Sequence, residues 1–176
     1  KLARAAAQFA REAGAEATFV DLDDYPIPLY HGDLEAASGM PGNARRLREL
    51  FLAHDALLVA SPENNASMTA LLKNTIDWLS RDVGDGKGDS SGLAPWRGKV
   101  AGLLAASPGG FGGIRALPHL RQVLAALGVT VLGAQVAVPK AHEAFAADGG
   151  IADERVAKAV RALAAAVADA SRGLKG

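Results

Sequence analysis

Hydrophobic positions along the chain follow two alternating rhythms, which predict helices and strands in turn. Apolar residues spaced three and four apart predict helices at residues 2–13, 44–51, 71–79, 117–127 and 156–167. Alternating or continuous apolar runs predict strands at residues 15–22, 56–60, 99–106 and 129–138. Two stretches rich in glycine, proline or small polar residues, 23–42 and 84–95, are predicted to be loops.

Residues with special backbone or capping preferences sharpen the helix boundaries. Gly14 and Gly128 follow the last apolar residue of two helices and predict where those helices end. Asn43, Ser67 and Asp153 precede three other helices, where a short polar side chain can cap the free N–H groups of the first turn.

Strands that alternate with helices predict an α/β fold, a three-layer doubly wound parallel sheet with helices on both faces. No internal repeat and no linker divides the sequence, so residues 1–176 are assigned to a single domain. Ligands of such sheets bind beyond the carboxyl ends of the strands. We therefore expect the functional residues in two unusual loops, 61–67 and 107–113, which directly follow buried strands.

Composition narrows the classes of function. The chain has 19 Lys and Arg against 19 Asp and Glu, and this zero net charge argues against a general nucleic-acid binder. Because cysteine is absent, disulfides, thiolate chemistry and Cys-ligated metal centres are excluded. The histidines share no metal-ligand spacing, so no metal is expected. No apolar run approaches the ~20 residues that span a bilayer. With no targeting signal visible, we expect a cytoplasmic protein without a membrane partner.

The first candidate loop, residues 61–67, reads Ser-Pro-Glu-Asn-Asn-Ala-Ser. Its Asn side chains and free backbone amides could hydrogen bond the edge of a heterocycle. Read alone, the loop is explained more simply by capping, with Ser67 at the helix start and Asn65 holding the turn. Glu63 is its one carboxylate, and we expect it to accept hydrogen bonds from backbone amides of its own turn rather than to act in catalysis.

The second candidate loop, residues 107–113, reads Ser-Pro-Gly-Gly-Phe-Gly-Gly. Its glycines let backbone N–H groups approach a flat or anionic ligand, and the following helix adds a positive dipole. It is neither a Walker A loop nor a GxGxxG fingerprint, and a strained turn without a ligand explains its spacing equally well. Arg115 follows it, either to meet a nucleotide phosphate or as an exposed first-turn arginine.

Together, the two loops and the helix after the first resemble the NADPH-dependent FMN reductase family, which has a flavodoxin-like fold. Residues 62–67 match its Pro-Glu-Tyr-Asn-x-Ser loop, except that Asn64 replaces the tyrosine that would lie near the flavin. Residues 72–81 match its Leu-Lys-Asn-x-Ile-Asp-Trp-Leu-Ser-Arg helix, and residues 107–113 its Ser-Pro-Gly-Gly-x-Gly-Gly loop. Residues 25–30 also look like its Leu-Pro-rich segment.

The resemblance implies the strand order 2-1-3-4-5. On that order, the first strand and a phosphate loop of the type Gly-Ser-x-Arg-x-x-Ser-x-Asn are expected to precede Lys1. It also implies a homodimer or homotetramer, with flavin sites near the subunit interface.

The resemblance implies bound FMN as the redox centre and NADPH, or NADH, as co-substrate. Electrons would pass to a small-molecule acceptor such as a quinone, azo dye, metal oxyanion or free flavin. The flavin would carry the hydride, so no catalytic side chain is expected. The implied cofactor-binding residues are Pro62, Glu63, Asn64, Asn65, Ser67, Ser107, Pro108, Gly109, Gly110, Phe111 and Gly112. A non-enzymatic flavodoxin-like electron carrier or redox sensor is the alternative, which the zero net charge weakly disfavours.

Overall fold

In the computed structural model, which describes residues 1–84 and 90–174, three parallel strands form a sheet between two layers of helices. The strands are β1 (Ala56–Ala60), β2 (Val100–Ala106) and β3 (Thr130–Val138), hydrogen bonded in that order. This order and direction agree with those predicted for the last three strands of the doubly wound sheet.

Seven α-helices lie in the described part of the chain: α1 (Leu2–Glu12), α2 (Gly32–Ser38), α3 (Gly42–Leu52), α4 (Ala70–Leu79), α5 (Ala116–Ala126), α6 (Ala141–Ala144) and α7 (Glu154–Gly173). All five predicted helices are present. Part of the predicted loop 84–95, residues 85–89, lies outside the described residues. Among the helices described, none combines the length and hydrophobicity that a membrane crossing requires.

The prediction of one uninterrupted loop over residues 23–42 is wrong. A 3-10 helix (Leu22–Asp24) begins the segment and α2 occupies its second half. The Nδ1 atom of His31 accepts a hydrogen bond from the Asp33 N–H at 3.3 Å, and Gly39 ends α2 with φ +69°. Periodicity misses this helix because seven residues give it two turns and no buried face.

The two faces of β2 divide the hydrophobic core. Ala101, Leu103 and Ala105 pack in one cluster with residues of α3, α4 and α5. Val100 and Leu104 pack in the other cluster, with residues of α1 and α7. Because both faces of β2 are covered, the chain forms the three-layer α/β arrangement that its alternating pattern predicts.

Residues 15–20 belong to no helix or strand, so they do not form the strand predicted at 15–22. Ala15, Ala17 and Phe19 are half-buried and the residues between them are exposed, so the predicted alternation is present. No strand of the described chain pairs with this segment, and the Arg11 guanidinium instead donates to the Ala17 carbonyl at 2.6 and 3.1 Å. The strand prediction is wrong because alternation sets burial, whereas a strand also needs a ladder partner. The five-strand order is therefore not confirmed.

Two predicted helix starts have different outcomes. Asp153 caps α7 as predicted, since its Oδ1 accepts from the N–H groups of Arg155 and Val156 at 2.9 and 3.2 Å. The predicted cap at Asn43 is wrong, because α3 begins at Gly42 and Asn43 lies within its first turn. The Asn43 side chain instead donates to the Pro26 carbonyl at 2.9 Å. This bond ties α3 to residues 25–30, which we call the proline-rich segment.

Candidate functional site at the carboxyl ends of β1 and β2

The two candidate loops leave the sheet side by side. Ala60 of β1 is paired with Leu104 of β2, and the Ser61 N–H still donates to the Leu104 carbonyl at 3.0 Å. We call residues 61–67 the turn loop and residues 107–113 the glycine loop. A Cβ on Gly113 would lie 3.6 Å from the Cβ of Glu63, so the loops touch. The structure thus brings together the two loops that the sequence assigned to one edge of the sheet.

The turn loop folds back on itself in a tight two-residue turn. The Asn64 N–H donates to the Ser67 carbonyl at 2.9 Å, and the Ser67 N–H donates to the Asn64 carbonyl at 3.0 Å. Asn65 and Ala66, with φ values of +49° and +62°, are both left-handed, as a type I′ turn requires. Asn tolerates this conformation, but Ala66 adopts it at a cost in backbone strain. The side chains of Asn64 and Asn65 hydrogen bond to no described residue, so their amides are available to a ligand.

Ser67 does not cap α4, contrary to the sequence prediction. Thr69 does so, with its Oγ1 accepting from the Leu72 N–H at 3.2 Å. The helix begins at Ala70, later than a cap at Ser67 would imply, because Met68 is buried first and Thr69 is still extended. The Ser67 Oγ lies instead 3.0 Å from Nδ1 of His119 on α5. Sequence reasoning missed His119 as a neighbour of this site, because no spacing rule relates residues so far apart.

An open groove of about 680 Å³ runs beside the turn loop, between α4 and α5. Its polar lining residues are Asn64, Asn65, Ser67, Lys73, His119 and Gln122. The Lys73 ammonium contacts the Asp77 carboxylate at 2.7 and 2.9 Å, so its charge is already paired. The groove therefore offers mostly neutral hydrogen-bonding groups.

The glycine loop is shaped by two glycines whose backbone conformations exclude a side chain. Gly112 and Gly113 have φ values of +61° and +81°. A Cβ on Gly112 would lie 2.6 Å from the Pro139 nitrogen and 2.7 Å from the Val138 carbonyl carbon. A Cβ on Gly113 would lie 2.9 Å from that of Ala105. These close approaches hold the loop against the ends of β2 and β3.

The tip of the glycine loop presents backbone N–H groups to solvent. The N–H groups of Gly110 and Phe111 donate to no described residue, and a Cβ on Gly110 would meet nothing within 4 Å. The Gly109 N–H is held by the Ser107 Oγ at 3.2 Å. The Phe111 side chain is 71% exposed. Free donors beside a large exposed ring suit a flat ligand with a polar edge.

Glu63 connects the turn loop to Arg115, which follows the glycine loop at the start of α5. Its Oε2 accepts from the Arg115 N–H at 3.0 Å and its Oε1 from the Arg115 Nε at 2.7 Å. The Glu63 side chain is only 7% exposed, against 59% for Arg115. The hydrogen bond from the Arg115 side chain holds the pKa of Glu63 below its ordinary value. The expectation that Glu63 binds amides of its own turn is therefore wrong. Neither of the two roles considered for Arg115 included a contact with Glu63.

The helix matched to the family motif holds the proline-rich segment. The Asn74 Nδ2 and the Trp78 Nε1 both donate to the Pro28 carbonyl, at 3.0 and 2.8 Å. The Asn74 Oδ1 accepts from the Tyr30 N–H at 2.8 Å, and the Tyr30 ring stands edge-on to Trp78 at 5.1 Å. Leu29, between these anchors, is 78% exposed. The motif therefore positions a segment distant in sequence.

A parallel α/β/α sandwich with two ligand-ready loops beyond its strand ends defines a protein of the flavodoxin-like class. The sequence profile of the NADPH-dependent FMN reductase family matches residues 1–143. The solved structure of FerB, a flavoenzyme NAD(P)H:(acceptor) oxidoreductase of Paracoccus denitrificans, superposes with a TM-score of 0.75 at 28% identity. That superposition covers 98% of this chain and 91% of FerB.

Curated relatives agree with this class. The NAD(P)H-dependent FMN reductase of Pseudomonas aeruginosa is 42% identical over 136 residues, 77% of this chain and 68% of its own length. The NAD(P)H:quinone oxidoreductase of Solanum tuberosum is 33% identical over 166 residues, 93% of this chain and 79% of its own. The chain belongs to the NADPH-dependent FMN reductase family, which confirms the resemblance. It is an oxidoreductase whose cofactor is FMN and whose co-substrate is a nicotinamide nucleotide.

Proposed function

We propose that the protein is an FMN-dependent NAD(P)H oxidoreductase that reduces small-molecule acceptors. Quinones are the first acceptors we propose, supported by the quinone oxidoreductase name of the potato relative. Azo dyes, metal oxyanions and free flavin are the others. The proposal includes a cytoplasmic location, where the nicotinamide nucleotide is available.

The residues of the two loops fit FMN. The unpaired N–H groups of Gly110 and Phe111, with open space over Gly110, form a cradle for a flat ring with carbonyl and nitrogen acceptors. This cradle is the observation that carries the proposal. Together with the turn loop, the residues proposed to hold FMN are Pro62, Glu63, Asn64, Asn65, Ser67, Ser107, Pro108, Gly109, Gly110, Phe111 and Gly112.

The chain contributes binding and electrostatics. Bound FMN supplies the hydride chemistry. The N–H groups of the glycine loop would donate hydrogen bonds to the flavin and stabilise its negative charge, as an oxyanion hole does for an oxygen. Glu63 contributes backbone only, because its carboxylate is committed to Arg115. No acid or base side chain is required for the hydride step. The polar groove beside the turn loop admits or orients the nicotinamide nucleotide and the electron acceptor in this proposal.

The proposal includes a homodimer or homotetramer and the five-strand order 2-1-3-4-5 in a single domain. Leu71 of α4 and Ile114 are 43% and 44% exposed, as expected of apolar residues that another subunit covers. Superposition of 98% of the chain on FerB supports the single domain. Light scattering after size exclusion tests the oligomer, and a monomer at micromolar concentration would exclude it.

The first experiment follows FMN absorbance without oxygen after NADPH is added, and then after a quinone is added. Bleaching that the quinone reverses is the expected result. Bound flavin that NADPH does not bleach would instead indicate an electron carrier supplied by a partner protein.

A glycine substitution tests the cradle itself. Gly110→Ala adds a methyl group in open space, so we expect the melting temperature to stay unchanged while FMN binds about tenfold more weakly, a difference of ~1.4 kcal/mol. Gly173→Ala on α7 is the matched control, since a Cβ there also meets nothing within 4 Å and lies on another element. Unchanged FMN affinity in Gly110→Ala would contradict the cradle.

A further inference from the structure

The Glu63–Arg115 contact joins the turn loop to the start of α5, two residues beyond the glycine loop. Glu63 is the only carboxylate in either loop, and its side chain is almost wholly shielded from solvent. Oxygen atoms of that carboxylate contact the Arg115 backbone N–H, its Nε and its Nη2. Hydrogen bonds between charged groups are the stronger ones, and a planar guanidinium matches a carboxylate in two directions at once.

The link also reaches the tip of the glycine loop. The Arg115 guanidinium carbon lies 5.5 Å from the centroid of the Phe111 ring, within the range of a cation–π contact. On the other side, the Glu63 Cβ would lie 3.6 Å from a Cβ on Gly113, so Glu63 packs beside the glycine loop. Glu63, Arg115 and Phe111 thus form one continuous connection from the turn loop to the exposed tip.

Glu63 further serves as the cap that α5 lacks. Arg115 is the N-cap residue of α5, and its own side chain makes no capping hydrogen bond. The Glu63 carboxylate accepts the Arg115 N–H and brings negative charge to the positive end of that helix. A carboxylate from one loop therefore fixes the start of the helix that follows the other.

Each loop also has hydrogen bonds of its own. The turn loop keeps its Asn64–Ser67 pair, and the glycine loop keeps the bond from the Gly112 N–H to the Gly109 carbonyl. Loss of the Glu63–Arg115 contact would therefore leave each loop folded, but the distance between the two loops would vary more widely.

We propose that Glu63 and Arg115 form a clamp that sets the spacing of the turn loop and the glycine loop at which both bind FMN. Both are positioning residues, and neither needs to touch the reacting atoms. The inference rests on the proposed function of these loops as the FMN site.

A double-mutant cycle tests the clamp. Glu63→Gln and Arg115→Gln are each expected to weaken FMN binding by about tenfold. The double variant is expected to bind FMN no more weakly than whichever single variant binds it less tightly. Arg115→Lys keeps the positive charge but loses the planar guanidinium. Its FMN affinity is expected to lie between those of wild type and Arg115→Gln. FMN affinity within twofold of wild type for Glu63→Gln, or additive effects, would overturn the clamp.

The exposed ion pair between Glu12 of α1 and Arg161 of α7 is the matched control. It joins residues even further apart in sequence but lies on helices away from both loops. Glu12→Gln and Arg161→Gln are expected to leave FMN affinity within twofold of wild type.

Hydrogen exchange in the FMN-free protein gives a readout that does not depend on the cofactor. In Glu63→Ala, which leaves no acceptor at this position, the Arg115 amide should lose protection, while the amides of Asn64 and Ser67 keep theirs. If wild type binds no FMN, the proposed function is wrong, and retained protection of the Arg115 amide would separately show that the clamp is wrong.

The pH dependence of the melting temperature tests whether the ionised Glu63 carboxylate stabilises the fold. Because its partner lowers the pKa of Glu63 from 4.5, the ionised carboxylate stabilises the fold above that value and ceases to do so as the pH falls through the lowered pKa. Arg115 is the charged group that faces it. Wild type should therefore melt above Glu63→Gln at neutral pH, and the two should converge in acid. A gap that persists in acid would count against the ion pair.

Discussion

The turn loop and the glycine loop present backbone to the same edge of the sheet by opposite means. The turn loop places two non-glycine residues, Asn65 and Ala66, in the left-handed region and closes the turn with paired backbone hydrogen bonds. The glycine loop places Gly112 and Gly113 there, where contacts under 3 Å exclude any Cβ. The turn loop owes its shape to local backbone strain that a substitution could relieve. The glycine loop owes its shape to close packing that leaves no room for a side chain.

This difference separates what the two loops can tolerate. The Asn64 and Asn65 side chains bond to no described residue, so the turn itself depends on its backbone bonds and two positive φ angles. Positions 112 and 113 are fixed by the strand ends beneath them, while position 110 faces open space. The glycine loop therefore combines glycines that fold it with a glycine that leaves room for a ligand.

The largest effect is expected from Gly112→Ala. The new methyl group would meet backbone atoms of Val138 and Pro139, which cannot move aside as a flexible side chain can. We expect a loss of about 3 kcal/mol in the free energy of unfolding, measured by urea denaturation. Gly110→Ala serves as the comparison and should stay near wild type. Equal stability of the two variants would remove the distinction between folding and ligand glycines.

An intermediate effect is expected at the start of α4. Thr69→Ala removes the observed cap and should cost about 1 kcal/mol of unfolding free energy. Ser67→Ala removes only the contact with His119 and should cost ~0.5 kcal/mol. Thermal denaturation of the two variants compares them directly. A larger loss at Ser67 would restore the cap that the sequence indicated.

The smallest effect is expected from Ala66→Gly. Glycine relieves the left-handed strain but adds freedom to the unfolded chain, so a net gain of ~0.5 kcal/mol is expected. Chemical denaturation measures it, with Ala3→Gly as the control, since glycine inside α1 should destabilise instead. A loss of stability in Ala66→Gly would mean that the turn is not strained.

Elements with long apolar periodicity could be predicted from the sequence, and those that depend on distant partners could not. Leu117, Leu120 and Leu124 placed α5 correctly, because their spacing alone defines a buried face. The alternation at 15–20 was equally clear, yet a strand requires a neighbour that alternation does not supply. Local pattern therefore predicts burial more reliably than it predicts pairing.

The candidate site shows the same limit. Motif matching located both loops and their family, because those residues are contiguous. The contacts of Glu63 with Arg115 and of Ser67 with His119 each join residues 52 positions apart. Charge and hydrogen-bonding capacity are visible in the sequence, but the partner is chosen by how β1, β2 and α5 pack. Glu63 was consequently assigned to its own turn.

The shared anchor on the Pro28 carbonyl has a consequence for the order of folding. The bonds from Asn74 and Trp78 span 46 and 50 residues, so they form only after a long stretch of chain has been closed. These two anchors of residues 25–30 therefore form only once α4 has docked. A partially folded protein with α4 displaced would release residues 25–30 first, and protease access near Leu29 would report the state of a helix that begins more than 40 residues away.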